Sequence, residues 1–229
     1  MNLSYNFLER KSNFFVVKEN YGKIEDTEDE WMTEKQKMLM GLLYNAEDEL
    51  LLEERYRAKE MLYDLNQLRP GMKPEKKELI RNLFGRIGDS FHIESPFYCD
   101  YGYRIKIGEN FFSNFNLTII DGGGVTIGDN VFIAPNVGIY TAQHPTDTRR
   151  RNMGYEWGIP VTIGNNVWIG GDVTILPGVT IGDNVTIGGG SVVTEDIPAN
   201  AIAVGNPCKV KKYMNQSGGR INGITNKKD

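Results

Sequence analysis

Two histidines stand in this 229-residue chain, His92 and His144. His144 heads the stretch TAQHPTDTRRRNMGYEWGIP, residues 141–160, which also holds Arg149, Arg150, Arg151, Glu156 and Trp157. A neutral imidazole is the side chain best suited to take a proton near pH 7. A lone loop histidine is commonly a bystander, so its surroundings must argue for chemistry. The stretch itself lacks the aliphatic spacing found on both sides of it. The first question is therefore what holds it in place.

On either side the chain repeats in sixes. IGEN, IGDN, IAPN, IGNN, IGGD, ILPG, IGDN and IGGG form a self-similar series beyond Tyr103. Aliphatics fall at 127 and 133, then at 163, 169, 175, 181, 187 and 193. A second set follows four residues later at Val131, Val137, Val167, Val173, Val179 and Val185. Two inward residues separated by one outward residue mark a very short strand. The Gly-Asp-Asn pairs supply corners where left-handed backbone angles are tolerated. Three units make a triangular coil, and coils stack at the strand spacing of about 4.8 Å. From Ile139 to Ile163 is 24 residues, or four units, so the coil leaves and returns in phase around an extruded loop, 141–160. At IIDGGGVTIG the step from Ile119 to Ile127 is eight residues, so two extra residues bulge at a corner.

Upstream the pattern is helical. TEKQKMLMGLLY opens with a capping box of Thr33 and Gln36 and places Met38, Leu39, Leu42 and Leu43 on an apolar face. A second helix is expected through ELLLEERYRAKEMLYDLNQL, ended by Pro70-Gly71, and a third from Pro74 to Gly85 or Gly88. Their apolar faces are explained by packing. Residues 1–31 carry no clear period and read as a poorly ordered extension; 32–90 form a helical region, 91–212 the repeat domain and 213–229 a polar tail.

Composition bounds the function. The chain is 40% apolar and 24% charged with a formal net charge of −4, which argues against nucleic acid as the main partner. The arginine run is three residues on an acidic protein and reads as loop surface or a subunit contact. Cys99 and Cys208 lie too far apart for a metal motif and read as reduced thiols. No apolar run approaches a membrane span, and the N-terminus lacks a signal-peptide layout, so a cytoplasmic location is expected.

The repeat resembles the hexapeptide-repeat family, whose fold is a left-handed parallel β-helix. The expected fold class is thus mainly β, with that β-helix preceded by a small α-helical region. The handedness comes from the family, since spacing alone does not reveal it. More specific segments are CDYGYRIKIGENFFSNFNLTIIDGGGVTIGDN, APNVGIYTAQHPTD, RNMGYEWGIPVTIGNNVWIGG and SVVTEDIPANAIAVGNPCKV. These look like the maltose and galactoside O-acetyltransferases and their nodulation relatives, from about Met32 to Tyr213. The resemblance implies a homotrimer with sites between subunits, a sugar acceptor and acetyl-CoA as co-substrate, with no metal. It implies His144 as general base and the Gly171 backbone N–H as oxyanion donor. It maps the acceptor pocket onto Asp100, Phe112, Asn114, Asp121 and Glu156, and Glu156 or Asp121 could also orient the imidazole. Asn114 can equally be a corner residue and Asp121 simple turn chemistry. Ala46 stands where galactoside-type members carry an acceptor-binding Asp, which leans toward the maltose-like subgroup.

Coenzyme A is implied along Trp168, Gly171, Gly189, Thr194, Glu195, Lys209 and Lys212. Small residues at Gly189 and Gly190 would let a pantetheine approach, and lysines meet phosphates as point charges. Glu195 stands where members often have Lys, and Lys209 where they often have Arg. A γ-type carbonic anhydrase on the same repeat needs three metal-binding histidines, and the chain has two. A streptogramin-type or serine acetyltransferase lacks the N-terminal helices of the sugar branch. A purely structural β-helix would have no need of His144 in an extruded loop.

Overall fold

The computed structural model describes residues 32–214. The expected extension 1–31 and the tail beyond Met214 lie outside the described residues.

Helix α1 (Glu34–Leu39) starts at Thr33, whose side chain accepts from the Gln36 amide while Gln36 reaches back to complete the capping box. It ends sooner than the apolar spacing through Tyr44 suggests. Gly41 adopts φ +72°, a left-handed conformation that closes the helix, and Tyr44–Asn45 become a short strand instead. Leu42 and Leu43 therefore lie beyond the stop. Helix α2 (Glu49–Gln67) is capped by Asp48 and buries Leu51, Ala58, Leu62 and Leu65. Helix α3 (Lys73–Leu83) opens with Pro74 in its first turn and buries Ile80 and Leu83.

From Phe91 the chain winds as a parallel β-solenoid with three faces. The first holds Phe91–Ile93, Phe111–Ser113, Phe132–Ile133, Trp168–Ile169, Thr186–Ile187 and Ala201–Val204. The second holds Phe97–Cys99, Leu117–Ile120, Gly138–Tyr140, Thr174–Ile175 and Val192–Val193. The third holds Ile105–Ile107, Val125–Ile127, Val161–Ile163 and Thr180–Ile181. Pairing in strict register stacks like on like: Ile107 on Ile127, Ile127 on Ile163 and Ile163 on Ile181. These aliphatics are all buried. Each contributes about 1.5–3 kcal/mol by leaving water. At the corners Asn110, Asn116, Asn130, Asn136, Asn166, Asn184 and Asn200 take positive φ. Their side chains bond from coil to coil, as in Asn166 to Asn184 and Asn184 to Asn200. Asparagine tolerates the left-handed region and its amide supplies the ladder.

Both ends of the stack are covered. At the N-terminal end the Asn66 side chain pairs with the backbone of Phe97, at 2.9 and 3.0 Å, and so satisfies an otherwise unpaired edge. Leu62, Leu65, Ile80 and Leu83 join the same hydrophobic core as Phe91 and Phe97. At the other end Lys209–Tyr213 adds antiparallel to Ala201–Val204.

Every departure from six falls at one corner, between the second and third faces. The step there is eight residues from Cys99 to Ile107 and from Ile119 to Ile127, then 24 from Ile139 to Ile163. Register confirms it: Val161 pairs with Val125, 36 positions back, whereas Thr180 pairs with Thr162, only 18 back. The loop is thus one ordinary step lengthened by three units. The bulge and the loop, separate in sequence, stack on each other.

Candidate active site

The neck of the loop is built at that corner. Thr141 is fully buried; its Oγ1 donates to the Ile120 carbonyl at 2.6 Å and accepts from the Gly123 amide at 2.7 Å. Ala142–Gln143 pairs antiparallel with Trp157–Gly158, and Ile159 returns to the Thr141 carbonyl at 2.8 Å. Gly123 is required by this closure, since a Cβ there would stand 2.7 Å from the Ile159 nitrogen. Asp147 caps a short helix, α4 (Thr148–Asn152), which carries the exposed arginine run. Gly154, at φ +81°, turns the chain into the strand Tyr155–Gly158. That strand pairs with Tyr44–Asn45, with Tyr44 opposite Glu156. The helical region and the loop therefore share one three-stranded sheet.

His144 is held at its Nδ1, which meets the Tyr155 carbonyl at 3.1 Å. A carbonyl only accepts, so Nδ1 carries the hydrogen and the neutral ring keeps its lone pair on Nε2. Nε2 lies 3.8 Å from Glu156 Oε2. The histidine side chain is 54% exposed, the glutamate 15%. An imidazole so arranged can accept a proton from solvent-side substrate, and the imidazolium then faces a carboxylate.

Behind this pair lies a polar cluster. Glu156 Oε1 accepts from the Tyr44 hydroxyl. Arg55 donates to the Tyr101 hydroxyl at 2.7 Å and to the Ala46 carbonyl at 2.5 Å. Asp121 is fully buried; its Oδ1 accepts from the amides of Asp100 and Tyr101 at 3.0 and 2.9 Å. Asp121 thus shapes the corner from beneath, through the backbone of Asp100. Burial, then the charges of Asp121 and Glu156, push the Asp100 carboxyl up to about 6, against the pull of Arg55 and Lys59. Burial also raises Asp121 and lifts the Tyr101 phenol to about 12. The Asp100 and Glu156 carboxylates beside the Arg55 guanidinium make the corner acceptor-rich, suited to hydroxyl donors.

The other expected residues lie elsewhere on the chain. Phe112 projects from the first face, stacked on His92 with ring centroids 5.5 Å apart, and Asn114 at the first–second corner accepts from the Phe115 amide. Trp168 is exposed on the first face, opposite Phe132. Gly171 and Gly189 stack at the first–second corner, where Gly190 donates to the Gly171 carbonyl at 2.8 Å. A Cβ on Gly190 would meet nothing within 4 Å, so the wall is open there. Thr194 and Glu195 return to the second–third corner; Glu195 pairs with Lys209 at 2.8 Å, and Lys212 sits on the closing strand opposite Ile202.

Comparison with known proteins bears on this arrangement. Residues 37–88 match the maltose acetyltransferase hexapeptide capping motif, and residues 160–195 match the bacterial transferase hexapeptide repeats. The galactoside O-acetyltransferase of Escherichia coli is 46% identical over 80% of this chain and 90% of its own. A maltose O-acetyltransferase from Clostridium difficile superposes with a TM-score of 0.80 at 52% identity, covering 81% of this chain and all but 1% of that one. A hexapeptide-repeat acetyltransferase of Vibrio cholerae, solved with acetyl coenzyme A, gives a TM-score of 0.75 at 35% identity, covering 80% of this chain and 100% of that one.

The chain belongs to the hexapeptide-repeat acetyltransferases of the maltose and galactoside type.

As a member of that family it is an acetyltransferase, and a galactoside acetyltransferase 46% identical to it was solved in complex with coenzyme A. Among the described residues no group of three His, Cys, Asp or Glu side chains is placed to hold a metal. No helix among them is long and apolar enough to cross a membrane. Sequence reasoning missed Tyr44, Arg55 and Tyr101. Arg55 did leave a signal. It falls on the stripe Leu51, Ala58, Leu62 and Leu65 that α2 buries, and a charge on a buried stripe asks for a reason.

Proposed function

We propose that this acetyltransferase moves the acetyl group of acetyl-CoA to a hydroxyl of a sugar, with His144 as general base. The observation that carries the reading is the fixed tautomer of His144: Nδ1 is spent on the Tyr155 carbonyl, leaving the Nε2 lone pair beside Glu156. The acceptor hydroxyl gives its proton to Nε2 as its oxygen attacks the thioester carbonyl. The tetrahedral intermediate collapses, the C–S bond breaks, and the leaving thiolate takes the proton back from the imidazolium. The products are an O-acetyl sugar and free coenzyme A. Asp100 and Glu156 accept hydrogen bonds from the sugar; Asp121 serves by holding Asp100.

The working unit in this reading is a homotrimer. His144, Asp100, Glu156, Thr194 and Glu195 lie on the second–third corner, whereas Phe112, Asn114, Gly171 and Gly189 lie at the first–second corner and Trp168 on the first face. One side of the coil separates the two corners, six residues at about 3.3 Å each, so about 20 Å. A neighbouring copy that sets its first corner against the loop of this one completes the site. The outward row of half-buried Phe112 and exposed Phe132 and Trp168 offers an apolar surface for that contact. The coenzyme's pantetheine runs past Gly189 and Gly190. Its phosphates meet Lys209 and Lys212, with Lys209 released from a half-exposed pair that binds Glu195 only weakly. The buried, unpaired thiols of Cys99 and Cys208 suit a reducing, cytoplasmic setting.

The test is release of free thiol from acetyl-CoA with maltose, glucose and a galactoside as acceptors. Acceptor-dependent release supports the reading; none with any sugar, while another hydroxyl compound is acetylated, would remove the sugar assignment.

A further inference from the structure

Tyr44 is fully buried, in a cluster with Met38, Ala46, Leu51 and Tyr101. Packing alone asks only for its ring. The hydroxyl leaves the apolar cluster and reaches Glu156 Oε1. Two backbone features hold it there. Tyr44 stands opposite Glu156 in the antiparallel pair, so both side chains emerge on one side of the sheet. Gly122 lies against it, where a Cβ would stand 3.2 Å from the hydroxyl oxygen. The second carboxylate oxygen, Oε2, is the one 3.8 Å from His144 Nε2. Tying one oxygen to a buried donor sets the direction of the other.

We propose that Tyr44 is a positioning residue for the acetyl transfer. It fixes Glu156 so that Oε2 faces the imidazole, and it makes the segment between α1 and α2 a working part of the active site. This rests on the reading of His144 as the base. Burial, and after it the charge of Glu156, hold the Tyr44 phenol well above its ordinary value, so it keeps its hydrogen and donates. A buried hydroxyl without a partner would be costly, which couples the fold of the helical segment to the presence of the carboxylate.

Tyr44→Phe removes one oxygen and keeps the ring. With acetyl-CoA and the fastest sugar of the panel, kcat is expected to fall about tenfold while KM for acetyl-CoA stays within about twofold. In a Glu156→Gln background the same substitution is expected to change kcat by less than about twofold, because the two residues act as one unit. Multiplying effects would overturn the proposal. So would parental kcat in Tyr44→Phe beside an inactive His144→Ala, and the base reading would then survive. Full turnover in His144→Ala would overturn both. Should Tyr44→Phe not fold, Gly122→Ala displaces the same hydroxyl. A loss of kcat that vanishes in Glu156→Gln supports the proposal, and one that persists there sinks it.

Discussion

The Tyr155 carbonyl takes the Nδ1 hydrogen of His144 at 3.1 Å, so a backbone group and not a carboxylate sets the tautomer of the ring. No side-chain substitution at 155 can remove that contact. The imidazole itself is exposed, and its loss should leave the fold alone. His144→Ala is expected to lower kcat by about 10²–10⁴-fold and to change stability by no more than about 0.5 kcal/mol. Thiol release and a denaturant melt on the same preparation check both. Near-parental turnover would remove the base assignment.

Asp100 makes a prediction about pH. Its folded carboxyl titrates at about 6, against an ordinary 3.8, chiefly because it is buried and then because Asp121 and Glu156 repel its charge. Between those values the folded chain binds a proton that the unfolded chain has released, so stability falls as pH rises through the window. Asp100→Asn abolishes that penalty. The variant should melt higher than the parent at about pH 7.5 and alike at about pH 3.5. A gap that does not change with pH would contradict the assigned cause. The same substitution should weaken acceptor binding, seen as a raised KM for the sugar.

Thr141 carries the neck of the loop. Thr141→Val keeps the shape but leaves the Gly123 amide without its partner and takes one of two donors from the Ile120 carbonyl, which keeps the Thr141 amide. The expected cost is about 1–3 kcal/mol in urea unfolding. Because the contact sits at the loop's foot, kcat should drop as well. Unchanged stability would mean that water replaces the hydroxyl.

Sharing of the site between copies can be tested by mixing. His144→Ala damages one corner of the chain and Asn114→Ala the other, and each alone should be at least about tenfold impaired. Refolded together in equal amounts, they should recover about a quarter of parental activity, the chance that two intact corners meet. A mixture no more active than its components would place the whole site within one chain.

Much of this architecture was legible in the sequence because the solenoid is periodic. A residue's neighbour in the stack lies one coil away, so the spacing that buries Ile163 also names Ile181 as its partner. The asparagines at the corners announce themselves for a similar reason, since few side chains accept the backbone angle found there. The loop was legible as an interruption, with His144 in it. Less legible was the early end of α1, because Gly41 sits inside an otherwise continuous apolar pattern.

The sequence by itself determined the coil, its phase, its asparagine corners and the presence of an imidazole where the repeat breaks. Tertiary structure alone decided that every irregular step shares one corner. It also decided that Tyr44 meets Glu156 across 112 positions, with Arg55 and Tyr101 behind them. The physical reason is the range of the contacts. Stacking within the solenoid follows a fixed interval, whereas nothing periodic connects the strand after α1 to a loop far along the chain. That pairing exists only once the helices have packed on the first coil and brought the two strands edge to edge.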